Sequence, residues 1–337
     1  THRIVVFETM RTKLLDCNVK FFATCLLIFS TSRVFAQPHL RTYKDWSNNV
    51  IQEYDPKAAR TLASALADPS TTFDIELLRL DGSASGYDQS FENARQRWME
   101  IVVGDLPDYN YSDYPDMDLF QGQLTVPVNR DVDDILIAYY VGQVDGLGNV
   151  LGYAGPVVAR FDENGMPVGT ISAIMVFDAV DFAQLTMDDV ELIILHEMAH
   201  TLGYGTYWPY KCGVNCATFG NHSYTCPLAA AKHEELGLPG PLLLTDDGGQ
   251  GSQCGHWDDD SFSFPGWSEL MTPFFDRNKE KLITAVTVAA LEDLSYKVDY
   301  EAADSISQQQ MELSGVAQHA LKPSHTFSLE RQIGSVK

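Results

Sequence analysis

The residues most able to do chemistry sit in one five-residue stretch, His196-Glu197-Met198-Ala199-His200. Histidines four apart on a helix project from one face, one turn apart, so both imidazoles can reach a single tetrahedral ion. Glu197 follows the first histidine directly and falls beside such an ion rather than on it. A carboxylate there can take a proton from a water polarised by the metal and hand it to a leaving amine. Zinc lowers the pKa of such a water to about 7, so the pattern implies hydrolysis of a peptide-like bond at neutral pH, with one Zn2+ ion as cofactor. The competing reading is two histidines on a solvated helix face. The flanking Leu192, Ile193, Ile194, Leu195 and Leu202 argue against it, because a helix this apolar is buried.

Two histidines leave the coordination incomplete. Gly203, three residues past His200, lets the helix end and the chain turn away. This pattern resembles that of the metzincins, whose third ligand falls three residues after the glycine; position 206 here is a threonine, so the ligand must come from further along. His222, His233, His256, Glu234, Glu235 and Glu269 are all candidates. His256 stands out, because Gly255-His256-Trp257 is followed fifteen residues after the histidine by Met271, within Glu269-Leu270-Met271-Thr272. A glutamate ligand from Glu234 or Glu235 defines the alternative, a gluzincin-like site. A secreted binding or adhesion module with a vestigial zinc site is the alternative outside enzymology.

These stretches resemble the leishmanolysin family of metzincin zinc peptidases. The likeness is carried by Ile193–Gly203, Gly255–Trp257, Glu269–Thr272 and Leu291–Tyr300, and it extends over roughly residues 71–300. It implies His196, His200 and His256 as zinc ligands, Glu197 as general base, Gly203 as the helix-ending glycine and Met271 as the methionine of a turn beneath the metal. The family has a long insertion between its second and third ligands, and 55 residues separate His200 from His256 here. The sequence departs from the large surface-anchored members in three ways. No cysteine occurs between Cys25 and Cys212 to cap the metal from a propeptide, and neither the large cysteine-rich C-terminal region nor a lipid-anchor signal follows.

The elements that must hold these residues read as an α+β domain. Strand patterns at 72–80, 134–144 and 169–182, with a shorter edge strand at 152–161, make one twisted mixed sheet. Two long helices at 85–105 and 188–202 complete a zincin-like or metzincin-like core. Residues 206–300 form a loop-rich C-terminal subdomain with the third ligand and the methionine turn, including helices near 228–236 and 283–294. Residues 71–205 carry the sheet and the metal helix, and 301–337 are a polar tail. In metzincins the edge strand pairs with extended substrate, which assigns that role to 152–161. Asp258, Asp259 and Asp260, just after His256, are placed to orient that ligand's second ring nitrogen.

Composition limits the rest. Lys plus Arg total 23 against 46 Asp plus Glu, a net charge of −23 that would repel nucleic acid; the hydrolytic motif makes protein or peptide substrates the expected partners. Met10 opens a basic stretch followed by an apolar core at 21–29 and small residues before Gln37, the pattern of an export signal. That core is too short to span a bilayer, and no later segment spans one. Residues 1–36 are therefore an upstream extension plus signal, and 37–70 a leader or propeptide. Removing 1–36 takes away five basic and two acidic residues, so the net charge becomes −26. Cys212, Cys216, Cys226 and Cys254 remain, and four cysteines in an exported chain read as two disulfides whose pairing stays open. Asn110 and Asn221 begin N-x-S glycosylation sequons.

Overall fold

The computed structural model describes residues 72–80, 86–110, 130–214 except 149, and 222–307 except 239, 247, 248 and 250, together with a few isolated short stretches. The expected export segment lies outside the described residues. So does the leader, apart from the two-residue strands Tyr43–Lys44 and Val50–Ile51.

The sheet that carries the fold has four strands: β1 (Ile75–Arg79), β2 (Ile135–Gly142), β3 (Gly152–Phe161) and β4 (Pro167–Asp178). Their spatial order is β1-β2-β4-β3. β1 pairs parallel with β2 (Leu77 opposite Ile137), and β2 pairs parallel with β4 (Ala138 opposite Ile174). β3 runs antiparallel along β4, with register shifts near Thr170–Ala173, and forms one edge. The mixed sheet and the edge position of 152–161 are both as expected. Parallel neighbours need a crossover, and α1 (Asp88–Ile101) supplies it between β1 and β2.

β2 and β4 are almost wholly apolar because both faces of the sheet are covered. Ile75, Ile137, Met175 and Phe177 face the helices, while Leu78, Leu136, Ile174 and Val176 pack on the other side. The expected strand 169–182 ends earlier, at Asp178. That side chain accepts hydrogen bonds from the backbone N–H groups of Val180 and Asp181 and so caps a short helix, Ala179–Phe182. Its other carboxylate oxygen accepts the amides of Val144, Asp145 and Gly146, tying the loop after β2 to the end of β4.

α2 (Met187–Thr201) crosses the helix-covered face of the sheet and packs along α1. Thr186 and Asp189 form a reciprocal capping box at its start. The Trp98 indole N–H of α1 donates to the Leu195 carbonyl at 2.9 Å, a fixed point between the two helices. Beyond α2 the chain is irregular, with α3 (Pro227–Glu235), β5 (Trp267–Glu269), β6 (Glu280–Leu282) and α4 (Ala285–Asp293) as its longer elements. Residues from both halves, from Phe73 to Tyr296, join in one apolar cluster, so the irregular half is packed rather than appended. Among the described residues no helix is long and apolar enough to cross a membrane.

Candidate metal centre

His196 and His200 leave α2 one turn apart, where the helix has sunk into the core and residues 196–201 are all buried. A Schellman motif ends the helix. The Tyr204 N–H donates to the Ala199 carbonyl and the Gly203 N–H to the His200 carbonyl, with Gly203 at φ +95°. A side chain at 203 would also collide with the Tyr207 ring, 2.0 Å from where its Cβ would stand. The chain turns again at Gly205 (φ +77°), which lies against the Gly255 backbone: a Cβ there would stand 2.6 Å from the Gly255 carbonyl oxygen. That contact brings the segment carrying His256 against the end of α2.

The three Nε2 atoms converge. His196 and His256 are 3.1 Å apart, His200 and His256 3.1 Å, and His196 and His200 3.2 Å. Each Nδ1 meets a backbone carbonyl: Leu270 at 2.7 Å for His196, Tyr204 at 3.0 Å for His200 and Ser252 at 2.9 Å for His256. A carbonyl only accepts, so every Nδ1 carries the proton and every Nε2 presents a lone pair. Three lone pairs at this distance have no proton to bridge them and repel one another unless a cation sits among them. Ligand atoms arranged tetrahedrally about an ion at ~2.0–2.1 Å lie ~3.3–3.4 Å apart, close to the spacing seen. Burial holds His196 well below the usual imidazole range, reinforced by His200, so it stays neutral and competent as a ligand. The triad can therefore hold a metal ion.

Glu197 is fully buried, next to His196 in sequence and not among the converging ligand atoms. Met271 is also fully buried, and its carbonyl accepts from the Trp257 N–H at 3.0 Å. The turn holding it, Glu269–Thr272, also supplies the Leu270 carbonyl that orients His196. Trp257 stacks on Trp208 (centroids 5.0 Å apart), with Tyr204 and Tyr224 edge-on to the pair, so His256 stands on a packed aromatic cluster.

Other candidate ligands lie elsewhere. Glu234 and Glu235 are exposed on α3, where Glu235 pairs with Lys232 at 2.6 Å, so they cannot complete this site. His233 is buried against Phe262, and His222 lies by Cys254 Sγ. Glu269 is buried but spends its oxygens on backbone amides. The acidic run after His256 does not orient it either. Asp258 caps a short helix, Asp259–Phe262, through the Ser261 N–H, and the His256 Nδ1 partner is the Ser252 carbonyl instead. Sequence reasoning missed the three orienting carbonyls, since any residue type supplies a carbonyl.

Cys212 and Cys226 form a disulfide. Cys254 is also disulfide-bonded, and Cys216 lies outside the described residues. Of the two sequons, Asn110 is exposed at the end of a two-residue strand and its amide donates to Asp131, whereas Asn221 lies outside the described residues. No family model matches the chain, and no curated protein matches it.

Proposed function

We propose that this chain is an exported zinc-dependent endopeptidase with a metzincin-like core. The single observation that carries the reading is the buried triangle of Nε2 atoms with every Nδ1 committed to a carbonyl, and a buried glutamate beside it on the same helix. Zinc, the choice for three imidazoles with a position left open, supplies a Lewis acid that acidifies a water and polarises a carbonyl. Glu197 is the proton carrier. It accepts a proton from the attacking water and delivers it to the leaving nitrogen, staying near both through its place on a capped helix. His196, His200 and His256 act as fixed neutral ligands, and the buried surroundings strengthen the interactions of nearby groups with the charges that develop in the reaction.

Disulfide-bonded cysteines support an oxidising destination, as expected for an exported chain. β3 is the sheet edge, so its outer main-chain groups can pair with an extended peptide and tolerate varied side chains. A vestigial binding module is the weaker reading, because ligands, base and orienting carbonyls are all intact.

One experiment tests the proposal. Purified protein should cleave a peptide library in a chelator-sensitive way, whereas Glu197→Gln should bind zinc as well as wild type and lose nearly all turnover. Wild-type cleavage by Glu197→Gln, or zinc binding by wild type with no cleavage of any peptide, sinks the proposal. In the same library, peptides N-methylated on the paired backbone should be refused if β3 receives substrate.

A further inference from the structure

Glu269 is fully buried and has no part in the chemistry above, yet its hydrogen bonds lead to the groups that aim His196 and His200 and to the neighbour of His256. Its Oε2 accepts the Met271 N–H at 2.6 Å. Its Oε1 accepts the Thr284 N–H at 3.1 Å and the Thr284 hydroxyl at 3.3 Å. The Thr287 hydroxyl hydrogen-bonds it as well. Thr287 Oγ1 in turn accepts the Trp257 indole N–H at 2.9 Å and meets the Tyr204 hydroxyl at 3.3 Å. The Met271 and Thr287 branches lead to the ligands. Leu270, between Glu269 and Met271, orients His196, Tyr204 orients His200, and Trp257 follows His256 in the chain.

We propose that Glu269 is a positioning residue for the metal site, holding through Met271 and Thr287 the residues whose neighbouring or own carbonyls orient His196 and His200, and the residue that follows His256. The inference rests on the metal reading given above. All the groups facing the carboxylate are donors, so a carboxylate satisfies every one of them and an amide cannot. Burial pushes the carboxyl up to about 7, and the bonds from Thr287, Met271 and Thr284 pull the other way. Lys281, on β6, secures the far side of the same turn, donating to the Phe274 carbonyl at 2.8 Å and Thr272 Oγ1 at 3.3 Å. The turn is thus fixed on one side by the buried Glu269 carboxyl and on the other by the partly buried Lys281 ammonium.

Glu269→Gln tests this with little change of volume, because its NH2 must confront the N–H of Met271 or of Thr284. Outer-shell partners typically carry about 10–100-fold in metal affinity. The zinc Kd, from competition with a chromophoric chelator, should weaken by about that factor. The visible absorption of the cobalt(II)-loaded protein should shift at a temperature well below melting, where a merely structural role would change neither. Thr287→Val, which removes the branch to Trp257 and Tyr204, should show the same change at smaller amplitude. It decides the matter if Glu269→Gln does not fold. A wild-type zinc Kd and cobalt spectrum in the folded variant overturns the inference and leaves the peptidase reading standing. A wild-type protein that binds neither zinc nor cobalt(II) overturns the reading beneath both.

Discussion

His196 and His200 are delivered by a regular helix, whereas His256 comes from a segment with almost no repeating structure. On α2 the spacing of the two imidazoles follows from helix geometry alone, and the capping box and Schellman turn fix where that helix begins and ends. Around His256, non-repeating contacts do the same work. Cys254 sits at φ +59° and is disulfide-bonded, Thr245 and His256 share a backbone hydrogen bond, Ser252 turns the imidazole, and Gly255 lies on Gly205. The Nε2 spacings are nonetheless equal to within 0.1 Å. Local regularity is one route to a preorganised ligand, and an over-determined loop is another.

The largest expected effect tests whether the two routes deliver equal ligands. His200→Ala and His256→Ala should each weaken zinc binding well beyond the roughly 10–100-fold of an outer-shell change, and to a similar extent. Unchanged metal content in His256→Ala would mean that the third ligand lies elsewhere. The next effect separates the helix from the loop. Gly205→Ala drives a Cβ to within 2.6 Å of the Gly255 backbone, so the loop must move away and zinc affinity should fall about tenfold. Gly213→Ala, at φ +62° with open space around it, should cost only about 1–2 kcal/mol of strain and leave the Kd unchanged. If both variants bind zinc alike, the glycine contact does not position His256. The smallest effect compares the disulfide cysteines. Cys212→Ser with Cys226→Ser opens a loop of fourteen residues and should lower stability by about 3 kcal/mol, read by denaturant unfolding, with zinc affinity nearly intact. Cys254→Ser, two residues from the ligand, should weaken zinc measurably. The reverse pattern would show that the outer loop, not the ligand segment, holds His256.

Much of the regular half was legible in the sequence because its signals are local. The apolar runs of β2 and β4, the 3–4 spacing on α1 and the glycines after α2 all report on neighbours a few residues away. The strand boundary at Asp178 was misplaced because a capping carboxylate looks like any aspartate until its partners are known. In the irregular half, His256 and Met271 stood out only through the resemblance and their spacing. Glu269 passed for a rival ligand, and Asp258 for a partner of His256, because buried and capping carboxylates cannot be told from metal-directed ones by residue type.

The sequence by itself determined that His196, Glu197 and His200 share one buried helix, since helical periodicity and apolar flanks need nothing beyond the nearest turns. It also determined a strongly acidic chain with a mixed strand and helix pattern. Only the tertiary structure decided which of six candidates completes the triad, which carbonyl orients each ring and what Glu269 does. Those assignments depend on contacts between residues far apart in the chain, 74 positions from His196 to Leu270 and 83 from Tyr204 to Thr287. Backbone carbonyls and the space left by a missing Cβ carry no residue-type signature, so packing alone selects among them.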